Sequence, residues 1–120
     1  MKLASLFALL ALPGCTSIVA APTGPAGLGQ VTAVESLQVR PLALLEDSRC
    51  PASVQCVWAG QVRIRAEILS RSGRDVREMT LATPIPVSGG TLTLVGAEPP
   101  KLAPGATDPQ AYRFRFHFQR

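Results

Sequence analysis

Apolar and polar residues alternate with a period of two along much of this chain, the pattern of strands with one face buried and one face wet. Val62, Ile64, Ala66 and Ile68 alternate with Arg63, Arg65 and Glu67, and residues 70–74, with Gly73, supply a turn out of that strand. Residues 75–83 are expected to return as its antiparallel partner, with Met79 and Leu81 facing inward. Residues 91–95 follow the Gly89-Gly90 turn and place Leu92 and Leu94 on one face. The clearest pattern lies at 112–118, where Tyr112, Phe114, Phe116 and Phe118 alternate with Arg113, Arg115 and His117, so that one strand face carries most of the aromatic core. Residues 31–39 and 41–45 are less regular and predict one or two further strands, with an irregularity within 43–46.

Prolines at 41, 51, 84, 86, 99, 100, 104 and 109 recur too often for a long helix to fit between them. Six or seven short strands separated by turn signals predict an all-β fold, a small antiparallel sandwich or barrel.

Ahead of the strands the pattern changes. Lys2 is followed by an apolar run over 3–12. About ten apolar residues are half the roughly twenty needed to span a bilayer, so residues 1–14 are expected to be a cleaved export signal. Leu12-Pro13-Gly14-Cys15 resembles the lipobox of bacterial lipoproteins, in which the cysteine is acylated and becomes the first residue of the mature chain. The resemblance implies lipidation at Cys15, the lipid bilayer as a partner through that residue, and a place in the cell envelope. Thr16, where Asp marks inner-membrane retention in enteric lipoproteins, resembles the outer-membrane class, facing the periplasm if the source has two membranes. Residues 15–30 hold Pro22, Pro25, Gly24, Gly27 and Gly29 and no charge, and are expected to form a disordered tether ahead of one β domain at 31–120.

Charge narrows the partners. Twelve Lys and Arg against eight Asp and Glu give +4, or +3 once Lys2 leaves with the signal, and the basic residues are scattered among strand positions. No block of like charge or basic helix is present, so nucleic acid is not an expected partner. Arg63, Arg65, Arg113 and Arg115 would make one basic face for anionic lipid or polysaccharide only if their strands were neighbours; otherwise they are ordinary solvated positions.

With Cys15 assigned to lipid, Cys50 and Cys56 remain as a pair. In an oxidising compartment they are expected to form a disulfide, worth about 2.4 kcal/mol for a seven-residue ring. A metal site would need two further ligands, and the only histidine, His117, is far along the chain, so neither metal nor cofactor is expected.

The cysteines sit in the densest run of unusual residues, Glu46-Asp47-Ser48-Arg49-Cys50-Pro51 through Val54 to Cys56-Val57-Trp58-Ala59-Gly60. The pattern D-S-R-C-P-x-x-V-x-C-V-W-A-G resembles the signature of a family of small, mostly uncharacterised bacterial secreted proteins and lipoproteins. That resemblance implies a β fold and export and carries no activity with it. It also implies a proline-containing turn at Glu98-Pro99-Pro100-Lys101. Two readings of the run stay open. In one, Asp47 accepts hydrogen bonds from the loop, Arg49 pairs with Asp47 or Glu46, and Trp58 packs against the cystine. In the other, Asp47, Ser48, Arg49, Pro51, Val54 and Trp58 form a rigid partner-binding loop.

Catalysis is not expected. Ser48 and Ser53 have no local base, His117 lies between two aromatic residues, and no glycine-rich phosphate loop opens a helix. The expected role is therefore binding or structural, toward an envelope protein or polysaccharide. The alternative is inhibition of a lytic or proteolytic enzyme, although the Ser-Gly-x-Tyr stretch of membrane-bound lysozyme inhibitors is replaced here by Ser72-Gly73-Arg74-Asp75.

Overall fold

The computed structural model describes residues 11, 14, 21–101, 105 and 107–120; Cys15 and nearly all of the expected signal lie outside them. Among the described residues seven strands form two antiparallel sheets: β1 (Thr32–Val34), β2 (Leu37–Asp47), β3 (Val62–Ser70) and β4 (Gly73–Thr80) in the first, β5 (Ile85–Val87), β6 (Gly90–Glu98) and β7 (Arg113–Gln119) in the second. Both sheets run in sequence order and neither closes on itself, so the expected all-β fold is an open sandwich and not a barrel.

Inward residues of both sheets meet in one core. Val39, Val62, Ile64, Ala66, Ile68 and Met79 pack against Leu92, Leu94, Phe114 and Phe118, while Tyr112 lies just ahead of β7, in the same core and stacked on Phe114 at 5.7 Å. Sandwiches are built this way because each sheet has one apolar face to remove from water. Phe116, expected in this aromatic row, is only half-buried. Glu67, expected on the wet face, is buried in mid-sheet and covered by Arg74 at 3.0 Å.

β2 carries two register shifts against β3, one between Pro41 and Ala43 and one between Leu44 and Glu46, and the second falls where the sequence predicts an irregularity. Asp47 thereby comes opposite the inward-facing Val62. Pro41 is tolerated because β1 is too short to reach it; its carbonyl accepts from Gly29 N instead, at 2.7 Å, and no ladder bond needs the missing N–H.

One expectation is corrected, one strand is added and one conditional reading is decided. Residues 22–30 are not a free tether: Thr23 bridges Ala33, Ala26 exchanges two bonds with Phe114, and Ala26 is 2% exposed. The segment closes the gap between β1 and β7 through its backbone, which its Gly and Pro composition conceals. β5 was not foreseen; its three residues include Pro86, which an edge strand accommodates. Finally, Arg63 and Arg65 lie on β3 and Arg113 and Arg115 on β7, in different sheets, so no single basic face forms. Arg63 is paired with Glu78 at 3.2 Å and Arg115 with Glu98 at 3.9 Å.

Candidate functional site

β2 and β3 are joined by residues 48–61, which leave the sheet at its Asp47–Val62 end. The two strand ends are tied at Ser48. Its N–H donates to Gln61 O at 2.8 Å and its hydroxyl accepts from Gln61 N at 3.0 Å, giving the loop a narrow neck. Gly60 fits there because φ is +67° and a Cβ would fall 2.1 Å from Ser48 O. Within the loop Cys50 and Cys56 form the expected disulfide, with Cα atoms 5.8 Å apart.

Behind the neck lies a polar cluster. Arg49 makes a two-point pair with Asp47, Nε to Oδ1 and Nη2 to Oδ2, each 2.9 Å, and this selects Asp47 over Glu46 as its partner. The same guanidinium donates to Ala97 O and Pro99 O at 3.0 Å, so it fastens the loop root in the first sheet to the end of β6 in the second. The Pro99 carbonyl belongs to the expected proline turn, whose Glu98–Pro99 bond is cis. Lys101 Nζ donates to Asp47 O at 3.2 Å, and Tyr112 Oη donates to Asp47 Oδ2.

The electrostatics follow from these contacts. The Arg49 hydrogen bonds, opposed by burial and aided by Tyr112, hold the Asp47 carboxyl at about 2, below its ordinary 3.8. Burial, and then the bond to the Asp47 carboxylate, push the Tyr112 hydroxyl up, which keeps it a donor. Such a closed set of charge-assisted bonds favours one loop geometry.

The six residues expected in a partner-binding loop divide into two groups. Asp47 and Arg49 side chains are only 7% and 19% exposed, Ser48 forms the neck, and Pro51 is buried, so these four brace the loop. Val54 and Trp58 are 45% and 60% exposed. Trp58 therefore does not pack into a sandwich core; Tyr112 and Asp47 close the core at this end, and the indole N–H is used by Ser48 O at 3.3 Å. Beside the ring lies an open hollow of about 320 Å³ lined by Arg49, Pro51, Val54 and Lys101 among others.

Sequence reasoning missed three participants. Val57 is fully exposed, although an apolar residue next to Trp reads as core. Tyr112 reads as an aromatic core position, and its hydroxyl contact crosses the molecule. Lys101 stands in the recognised proline turn, but nothing in that motif points to Asp47. His117 lies exposed on β7 and takes no part in this cluster. Among the described residues no group of three or more His, Cys, Asp or Glu is placed to hold a metal ion. No family model, curated protein or solved structure matches this chain.

Proposed function

We propose that the protein is a lipid-anchored module of the cell envelope that acts by binding, without catalysis, through the tip of the cystine loop. One observation carries this reading: Val54, Val57 and Trp58 are 45%, 100% and 60% exposed on a loop whose root is fixed by a disulfide, a two-point ion pair and a hydrogen-bonded neck. Exposed aliphatic and Trp side chains raise the free energy of the isolated protein in water, whereas a pre-ordered loop lowers the entropy lost on association. Trp is also prominent among the residues that dominate interface energetics. Anchoring at Cys15 rests on the lipobox resemblance and supplies the envelope address.

Mass spectrometry of the native protein, expected to find Cys15 acylated, tests the anchor. Co-purification from membranes under mild crosslinking, compared between the wild type and Val57→Ser/Trp58→Ala, tests the loop. The double variant is expected to keep its melting temperature and lose the partner; equal recovery would remove the loop from the function. A specific form of the same contact is inhibition, since a rigid projecting loop suits an enzyme cleft. Excess purified protein added to lysozyme or to an envelope protease would then slow turnover, and unchanged rates end that reading.

A further inference from the structure

We propose that β4 is a self-recognition edge: two copies of this chain join antiparallel along it, with the two-fold axis at Val76. The inference goes beyond the loop-binding reading and does not rest on it. β4 is the outermost strand of the first sheet, and Arg74, Asp75, Val76 and Glu78 are exposed. Among the described residues, no backbone group of Arg74, Val76 or Glu78 is bonded outside the sheet ladder. A strand edge left open in this way is a template for another strand.

The hairpin between β3 and β4 fixes which groups face outward. Its turn is two residues, Arg71 and Ser72, so the closing pair Ser70 and Gly73 exchanges both backbone bonds. Alternation then directs the N–H and C=O of Asp75 and Arg77 toward β3 and those of Arg74, Val76 and Glu78 toward the open side. Two copies can build a regular antiparallel ladder only if outward-bonding residues meet one another. The axis must therefore pass through a residue and not between two.

The charges have their centre on such a residue. Arg74, Asp75, Val76, Arg77 and Glu78 read plus, minus, neutral, plus, minus, and reversing the order inverts every sign. With the axis at Val76, each valine meets the partner's Val76 and Arg74 meets the partner's Glu78 in hydrogen-bonded pairs, about six backbone bonds in all. Asp75 meets the partner's Arg77 in the closer, non-hydrogen-bonded kind of pair. On the wet face Glu78, already 3.2 Å from Arg63, comes opposite the partner's Arg74, which is itself 3.0 Å from Glu67 in its own chain. The row of alternating charge thus runs unbroken across the junction.

The same pattern opposes other registers. A slip of two residues either way sets Asp75 against Asp75 or Arg77 against Arg77, and a slip of one breaks the ladder. A bilayer has no alternating donors and acceptors to offer a strand edge, and a strand of unrelated sequence would not require the sign inversion. A second copy in an isologous contact accounts for both features.

Covalent trapping tests the contact. The paired Val76 positions would have Cα atoms about 5.5 Å apart, within the span of a disulfide. The full chain carrying Val76→Cys, purified in mild detergent and oxidised with copper phenanthroline, is expected to give a covalent dimer. Val95→Cys, exposed on β6 of the other sheet, controls for random collision and is expected to give little.

Charge exchange in the Val76→Cys chain then reads the register. Asp75→Arg sets a cation against the partner's Arg77, Arg77→Asp sets an anion against the partner's Asp75, and each is expected to slow trapping about tenfold or more. An equal mixture of these two variants is expected to recover it. Asp75 and Arg77 also lie 3.6 Å apart within one chain, but that pair stays broken in both variants, so recovery can arise only between chains. The double exchange Asp75→Arg/Arg77→Asp keeps opposite signs facing and is expected to trap like its parent. Equal trapping at positions 76 and 95, single variants as fast as the parent, a mixture no faster than its components, or a slow double exchange would each overturn the assignment.

Discussion

Tyr112 donates a 2.5 Å hydrogen bond to the Asp47 carboxylate across 65 positions of sequence. Tyr112 stands just ahead of β7 in one sheet and Asp47 is the last residue of β2 in the other, so the bond joins the sandwich layers where the cystine loop begins. Arg49 completes the set from the loop side.

Acid is expected to weaken the domain through Asp47. Its carboxyl sits at about 2 in the folded protein against an ordinary 3.8. A depressed folded value means that the stabilisation is complete above about pH 4 and is lost as pH falls through about 2, amounting to about 2 kcal/mol. Urea denaturation at a series of pH values checks this. Asp47→Asn should be less stable at neutral pH and lack most of the slope between pH 4 and 2.

Tyr112→Phe keeps the stacked ring and removes only the hydroxyl. A loss of about 1 to 2 kcal/mol is expected, because a charged acceptor is left with one partner fewer. The Asp47 carboxyl should titrate closer to its ordinary value in the variant, which NMR of the side-chain carbon resolves. An unchanged titration would mean that the short contact contributes nothing in solution.

Phe114 and Trp58 should behave oppositely. Phe114 is 0% exposed in the shared core, and Phe114→Ala is expected to cost about 3 to 5 kcal/mol. Trp58 is 60% exposed, and its replacement by Ala should stay within about 1 kcal/mol. Comparable losses at both positions would show that the ring is buried in solution.

Reduction of the disulfide should remove about 2.4 kcal/mol by the ring-closure relation. Because the neck and the Asp47–Arg49 pair lie outside the ring, the sheets should persist. Far-UV circular dichroism is expected to be retained while the melting temperature falls.

Gly60→Ala is expected to destabilise by about 2 kcal/mol or more, since φ is +67° and a Cβ would overlap the Ser48 carbonyl. Relief of the clash must open the neck. Loss of the Ser48–Gln61 bonds, seen as faster amide exchange at both residues, is the diagnostic readout.

The contrast between what the chain discloses and what it hides has physical causes. Strands with one wet face, such as Val62–Ser70, are visible because every second residue must be apolar. The cystine follows from counting thiols. By contrast, the docking of residues 22–30 is made by backbone groups, and composition says nothing about which carbonyl meets which amide. The bracing role of Asp47 was legible in its type and position, whereas Tyr112 and Lys101 meet it only once the sheets pack. The exposure of Val57 and Trp58 was concealed for a different reason. Apolar residues are assigned to the interior by default, and the exception is informative only after the interior is known to be full.

The paired slips in β2 make that strand two residues longer than the stretch of β3 it covers. Side-chain facing repeats every two positions, so the surplus leaves the inward phase of Asp47 intact. A homologue lacking one residue between 42 and 45 would turn the carboxylate toward solvent and abandon Arg49 and Tyr112 together, whereas one lacking two would keep its facing. Natural length variation in this strand should therefore come in even steps.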